Sequence, residues 1–359
     1  MLRSIYIDEF RHFKNFKLNM LGPQSLICGL NGSGKSSLLD VIYRLKGFIS
    51  GSMQIAEVCQ IEDIPIWSNA AFGTLLSQFE FSLEVEELKY TYFLAIKHNL
   101  RDGLCRVENE KLSNGTDIIF ESNQGIANVR DVKFPVDWSV SALNLASRQN
   151  QDIAMFIEFV KNNLVVVSLN PSAMNSFHLT PESALQLDGS NFSAWYADKI
   201  NFDITSVASA FAEFKNFIPG FIKTILSSEG RYKELRVIIG ADKQTYEMPF
   251  ATLSSGQKAL FAIYLIMHTA RDNSCICIDE FENHLSPVEL QPVYDAMQDF
   301  FEKKNLFFLI ISHNQQTITW FEKSAMLTYT SGFPPFVKID NIRDDRGDIV
   351  EQLVGKLSI

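Results

Sequence analysis

The spacing of hydrophobic and polar positions changes several times along the 359-residue chain. Ser4–Asp8 alternates, Ser25–Cys28 is a compact apolar run, and glycine-rich sequence follows it at once. From Lys35 to about Lys46, the residues Leu38, Leu39, Ile42 and Leu45 recur at helical spacing. The first 50 residues therefore predict strand, strand, loop and helix. Between 79 and 140 the period falls to two. Phe79, Phe81, Leu83 and Val85 alternate, then Tyr90, Tyr92, Leu94 and Ile96, with turn signals at Glu86–Glu87, Asp102–Gly103 and Asn114–Gly115. This predicts an antiparallel meander. From about Gln151 to Ile222 helical spacing returns, as in Ile153, Phe156, Ile157 and Val160, with a buried strand at Leu164–Ser168 between. Leu235–Ile239 and Thr245–Met248 predict a further hairpin.

The last hundred residues alternate helices and strands: helix 255–270, strand 275–278, helix 287–302, strand 306–311, helix 315–322 and strand 325–330. Such alternation predicts a parallel sheet with helices on its faces. The helix at 287 is well marked, because Ser286-Pro287-Val288-Glu289 places a capping Ser, a first-turn Pro and a capping-box Glu in order.

Composition narrows the class. With 46% apolar residues and 12% aromatics, 29 of them Phe, the chain can build one large core or two ordinary ones, and disorder is excluded as its main state. The net charge of −10 argues against a surface that coats nucleic acid as a whole. The charge is uneven: residues 1–50 hold seven Lys/Arg against three Asp/Glu, a net of +4, so the remainder carries −14. A local basic groove stays open on this count. Cys28, Cys59, Cys105, Cys275 and Cys277 are an odd number at scattered spacing and read as buried thiols of a reducing cytosol. Cys275 and Cys277 form a C-x-C with no second pair or His cluster nearby, so a structural zinc is not expected. The N-terminus carries charges where a signal peptide needs an apolar stretch, and the longest apolar run, Ala259–Met267, falls well short of a bilayer span. A soluble cytoplasmic protein with no membrane partner is the expectation.

Four short motifs carry chemistry. Gly29-Leu30-Asn31-Gly32-Ser33-Gly34-Lys35-Ser36 fits the phosphate-binding loop G-x-x-x-x-G-K-[ST], between a predicted strand and a predicted helix. Its glycines let backbone N–H groups curl around phosphate oxygens, Lys35 would reach the β- and γ-phosphates, and the Ser36 hydroxyl would ligate Mg²⁺. Ser274-Cys275-Ile276-Cys277-Ile278-Asp279-Glu280 is an apolar strand ending in two carboxylates. In a parallel sheet such ends face ligands, so Asp279 suits the metal and Glu280 the attacking water. Taken alone, this ending is also a common surface feature. Leu253-Ser254-Ser255-Gly256-Gln257 opens an apolar helix and offers an anion site or, on spacing alone, a plain helix cap. Ile310-Ile311-Ser312-His313-Asn314 puts a His just past a strand, where it is structural or a γ-phosphate sensor.

In order, G-L-N-G-S-G-K-S, L-S-S-G-Q, C-I-C-I-D-E and I-S-H resemble the Walker A, signature, Walker B and switch-histidine motifs of ABC-type ATPases. The opening Ile5-Tyr6-Ile7-Asp8-Glu9-Phe10-Arg11-His12-Phe13-Lys14 looks like the start of the branch that holds SMC proteins, RecF and the OLD-like ATPases. Asp279-Glu280-Phe281-Glu282-Asn283-His284-Leu285-Ser286-Pro287 is similar to the D-E-P-E-N-H-L-H-P stretch of OLD-like and prokaryotic defence ATPases. The similarity is specific over about 1–45 and 230–320 and one of layout across 46–229. Departures are Ser255 for the more usual glycine and Phe281 for the proline after Walker B.

The resemblance implies an α/β fold, an ABC-type P-loop ATPase head with a mixed or parallel core sheet, an antiparallel β subdomain and a helical insertion. The expected division is 1–50 with 230–359 as the split ATPase core, 51–140 as the β subdomain and 141–229 as the mostly helical insertion. It implies ATP and Mg²⁺ as cofactors, with Asn31, Gly32, Ser33, Gly34, Lys35, Ser36, Ser37 and Arg11 at the ATP. Glu280, His313 and Lys35 would be catalytic, and Ser36 and Asp279 would hold the metal. Ser254, Ser255, Gly256 and Gln257 would meet the nucleotide of a second copy in a head-to-tail homodimer or higher oligomer, and Asn283 to Ser286 would cross to that copy. Arg11, and Lys14 with it, would lie near the nucleotide. No glutamine can be assigned to the Q-loop, with Gln149 and Gln151 among those available.

The function implied is an ATPase whose closure controls a protein effector, such as a nuclease or toxin, or a DNA transaction, in antiviral defence. A RecF-like repair ATPase that binds DNA directly is the alternative, and a transporter subunit is disfavoured by the F-R-H-F-K opening and the long insertion. About thirty residues follow the last core strand without a D-x-D pair, so no intrinsic nuclease is expected.

Overall fold

The computed structural model describes residues 1–65, 73–101, 103–130, 132–241, 244–321, 324–330 and 336–342. In chain order its elements begin with β1 (Leu2–Asp8), β2 (Phe16–Asn19), β3 (Gln24–Gly29), α1 (Lys35–Ile49) and α2 (Ile55–Val58). A run of strands follows: β4 (Thr74–Val85), β5 (Leu88–Asn99), β6 (Leu104–Asn114), β7 (Asp117–Asn123), β8 (Ile126–Val129) and β9 (Val132–Pro135). Next come α3 (Leu143–Ala146), α4 (Gln151–Asn162), β10 (Leu164–Val167), β11 (Phe177–His178), α5 (Phe192–Phe202) and α6 (Ile204–Phe217). The hairpins of β12 (Phe221–Glu229), β13 (Tyr232–Ala241) and β14 (Gln244–Pro249) precede α7 (Ser255–Thr269), β15 (Cys275–Asp279) and α8 (Pro287–Lys304). The described chain ends with β16 (Phe307–Ile311), α9 (Gln315–Trp320), β17 (Ser324–Tyr329) and β18 (Val337–Ile342). The turn read at Asp102 and the helix end read at 322 involve positions outside the described residues.

The fold is mixed α/β with one antiparallel sheet ordered β2-β1-β4-β5-β6-β7-β8-β9 and a second sheet ordered β10-β15-β16-β3-β17-β18. Two compact units divide the chain: Met1–Leu164 with Asn273–Cys275 and the described residues from Leu309 on, and Val165–Asp272 with Ile276–Phe308.

In the first unit, β1 joins the meander. Ile5 and Ile7 face Phe81 and Phe79 on one side and Leu18 and Phe16 on the other. All six are buried, so the alternation in the sequence becomes one apolar face. The β4–β5 turn puts Glu86 and Glu87 at φ 49° and 70°, both left-handed as a tight two-residue hairpin demands. β3 pairs in parallel with β17, Cys28 beside Met326, and the Ser312 N–H donates to the Ile27 carbonyl at 3.0 Å. β3 is thus gripped on both edges just before the phosphate loop.

An ion cluster fixes the helix that leaves the loop. Asp63, whose side chain is 4% exposed, accepts from Arg11 Nε and from Arg44 Nη1, each at 2.7 Å. Arg11 Nη2 also donates to Asp40 at 2.7 Å, and Nη1 to the Ser37 hydroxyl at 3.2 Å. Ser37, Asp40 and Arg44 are all on α1, so Arg11 and Asp63 hold one face of that helix against the turn after β1.

The second unit is built around aromatics. Phe214 stacks on Phe261 with centroids 4.0 Å apart, Phe192 stacks on Phe250 at 4.8 Å, and Phe221 meets Phe261 edge to face. α7 is buried from Lys258 to Met267, which accounts for the longest apolar run as core. The helical reading through Ile222 fails at its end. Pro219-Gly220 stops α6, and Phe221 starts a strand whose register runs to Glu229 opposite Tyr232.

Two stability measurements follow. Glu110 is fully buried on β6 and accepts from Tyr92 Oη, Ser141 Oγ and the Ala142 N–H. Burial pushes its carboxyl up to about 7, against the pull of these donors. The folded protein then holds a proton there between the ordinary carboxylate range and pH 7, so stability falls as pH rises through that window, by about 3 kcal/mol. Urea unfolding from pH 5 to 8 should show that fall in the parent and not in Glu110→Gln, whereas parallel profiles would contradict it. Asp63→Ala leaves two guanidinium groups without their shared carboxylate and should cost about 2–3 kcal/mol in the same assay. An unchanged midpoint would show that the cluster holds nothing in place.

Candidate nucleotide site

The loop Gly29–Ser36 lies in the first unit between β3 and α1. Gly29 has no room for a side chain, since a Cβ there would lie 2.5 Å from the Leu327 carbonyl oxygen. Gly34 sits at φ 94°, where a Cβ would also approach Val337 to 2.9 Å. Inside the curl, Lys35 is buried and its Nζ donates to the carbonyls of Gly29 at 2.8 Å and Leu30 at 3.0 Å. The Leu30 carbonyl also takes the Ser33 N–H at 3.1 Å, and Tyr329 Oη donates to the Gly32 carbonyl.

The loop carries features that fit a phosphate. Ser33 is 2% exposed and its hydroxyl has no hydrogen-bond partner. A buried hydroxyl left in this way lacks the acceptor that a phosphate oxygen would supply. α1 begins with no side-chain cap and no acidic residue in its first turn, so its N-terminal dipole faces the loop unneutralised. Asn31, Gly32 and Ser36 are exposed and Ser37 is half-buried.

Arg11 touches Ser37 just beyond the loop, but its guanidinium is engaged by Asp40 and Asp63. Lys14 lies 5.0 Å from the centre of the Phe336 ring and 3.9 Å from the Glu9 carboxylate. His313 is exposed after β16. Gln149 and Gln151 are exposed at the start of α4.

The second unit holds the acids and the Ser-Ser-Gly turn. Asp279 ends β15 and is 8% exposed; the Ser168 hydroxyl, just past β10, donates to its Oδ2 at 3.5 Å. Ser168 reads in the sequence as the end of a buried strand, with no pattern to set it apart, and only the pairing of the two strands brings it to the acid. Glu280 follows at φ 45°, a left-handed conformation unusual for a residue with a side chain, and Asn283 Nδ2 donates to its Oε2 at 2.7 Å. Ser254 caps α7, accepting from the Gln257 N–H at 3.2 Å while Gln257 Oε1 accepts from the Ser254 N–H at 3.1 Å. Ser254 and Ser255 are exposed. Gly256 seats this turn against the loop after Glu280, since a Cβ there would lie 2.9 Å from the His284 carbonyl. Among the described residues, no group of three or more His, Cys, Asp or Glu is gathered for a metal, and all five cysteines are buried free thiols. No helix among them is long and apolar enough to cross a membrane.

Comparison with known proteins agrees with the fold. An SMC head bound to the C-winged helix domain of ScpA matches with a TM-score of 0.56 and 14% identity, covering 96% of this chain and 98% of that one. An Smc head with an extended coiled coil, bound to the C-terminal domain of ScpA from Pyrococcus furiosus, gives 0.49 and 12% over 100% and 99% of the two chains. The SMC head domain from Thermotoga maritima gives 0.44 and 15%, over 95% and 99%. The first of these carries the likeness in fold. A search of curated proteins finds no match. The family profile described as RecF/RecN/SMC N terminal domain matches residues 1–332, and with nearly the whole chain so covered, the protein belongs to that family of ATPases.

Proposed function

We propose that the protein binds ATP at Gly29–Ser36 and hydrolyses it as a head-to-tail pair of identical chains. The observation that carries this reading is the phosphate loop itself, with the partnerless buried Ser33 hydroxyl, the buried Lys35 ammonium and an uncapped helix N-terminus meeting at one curl of backbone. Magnesium, when bound, supplies positive charge to the phosphate oxygens. Ser36 and Asp279 are one hydroxyl and one carboxylate, a small hard-oxygen set of the kind that this ion takes together with phosphate and water. Lys35 neutralises phosphate charge, and Glu280 accepts a proton from the attacking water. His313 would donate to the γ-phosphate. Ser254, Ser255, Gly256 and Gln257 would present exposed hydroxyls and the N-terminus of α7 to the nucleotide of the other chain.

The pairing would control a protein effector, such as a nuclease or toxin, in antiviral defence. Two features favour a protein over DNA. The chain beyond residue 50 carries −14, and Arg11 is engaged by its own carboxylates, which reduces the basic start as a footprint for phosphodiesters. The solved SMC head bound to the C-winged helix domain of ScpA supports a protein ligand for this fold.

Two variants test the reading. Lys35→Ala should weaken ATP binding at least tenfold in titration calorimetry, because a buried charge-assisted contact is lost. Glu280→Gln should keep that affinity, lose about a hundredfold or more in turnover, and elute with ATP at twice the chain mass by light scattering. Unchanged affinity in the first, or a monomer in the second, would overturn it. Mobility shift of the ATP-loaded Glu280→Gln chain with gapped duplex separates the RecF-like alternative, for which a retarded band at physiological salt is the expected result.

A further inference from the structure

The carboxylate assigned above to the attacking water sits on an awkward piece of backbone. Glu280 has φ 45°, a conformation that costs a residue with a side chain about 1 kcal/mol or more unless its surroundings impose it. Two contacts of the second unit impose it. The Asn283 N–H donates to the Glu280 carbonyl at 3.1 Å, and Asn283 Nδ2 donates to the Glu280 carboxylate at 2.7 Å. One asparagine thus grips both the backbone and the side chain of Glu280, from three residues further on. The short helix that carries it, Phe281–His284, is in turn braced by α7, because the missing side chain of Gly256 lets the start of that helix approach the His284 carbonyl. Phe281 and Glu282 are buried, so this turn is anchored from within.

We propose that Asn283 is a positioning residue for Glu280, and that Gly256 braces the turn on which Asn283 acts. This rests on the reading of Glu280 as the group that takes the proton of water. An amide is suited to the task. Asn283 Nδ2 donates to one carboxylate oxygen, Oε2, and so fixes the plane of the group. The arrangement also gives the Ser-Ser-Gly turn a second consequence. Any contact that shifts Ser254–Gly256 reaches Glu280 through two short steps, Gly256 to His284 and Asn283 to Glu280, within one chain.

Asn283→Ala should lower kcat about tenfold with KM and ATP affinity unchanged, since the interaction serves the chemical step and not binding. Asn283→Asp keeps the size of the side chain and removes the donor, so it should lose at least as much, and this separates donation from packing. Asn283→Ala added to Glu280→Gln should cause no further loss, because a residue acting only through Glu280 has nothing left to position. A readout free of turnover is backbone hydrogen exchange over 280–286 in nucleotide-free protein, which should speed up in both Asn283→Ala and Gly256→Ala while the melting temperature stays within a few degrees. Unchanged kcat in Asn283→Ala, or a loss that adds to that of Glu280→Gln, would overturn the positioning role. Full turnover in Glu280→Gln alone would overturn the reading of Glu280 and the inference with it, an outcome distinct from a silent Asn283.

Discussion

A loop that offers its backbone N–H groups to an anion must curl more tightly than residues with side chains allow, and it must be held at both ends or it will not keep that curl. Here the curl runs from Gly29, pressed on the Leu327 carbonyl, to Gly34 at φ 94°. β3 enters it between β17 and the Ser312 N–H, and Lys35 closes it by donating to two of its own carbonyls. On the far side, α1 is held by Arg11 and Asp63. The loop is therefore held from both flanks while Asn31, Gly32 and Ser36 stay exposed, an arrangement suited to binding an anion without first ordering the loop.

The same logic recurs in the second unit with different materials. A left-handed Glu280, an asparagine that holds it and a glycine that lets a helix approach make a compact acidic corner beside Asp279 and Ser168. Its support is the aromatic core around Phe261, where the abundance of Phe in the sequence finds its use. Flat rings stacked at 4.0–4.8 Å fill volume with few rotamers, so the helix that presents Ser254 starts from a stiff base.

Much of this was legible in the sequence because it depends on local rules. The phosphate loop, the capping box at Ser286–Glu289 and the alternation of β4 and β5 are each set by neighbours within a few residues. What escaped depends on distant partners. β2 has only four residues, too few for a period, and exists because β1 lies beside it. β12 follows a helical stretch and is a strand because β13 pairs with it. Ser168 reaches Asp279 only when folding brings two strands far apart in sequence side by side. Charge was misleading in the same way: Arg11 and Arg44 look like part of a basic start, yet Asp40 and the buried Asp63 neutralise them in place.

The central claim is that a working site needs the phosphate loop of one chain and the Ser-Ser-Gly turn of another. Its most direct test mixes two inactive variants, Lys35→Ala, which lacks the loop contact, and Ser254→Arg, which blocks the turn. A head-to-tail pair places one intact loop opposite one intact turn in the mixed dimer, so ATP turnover should return to roughly a quarter of the parent value per chain. Turnover that stays at the level of the separate variants, with mixed dimers present by native mass spectrometry, would contradict a shared site.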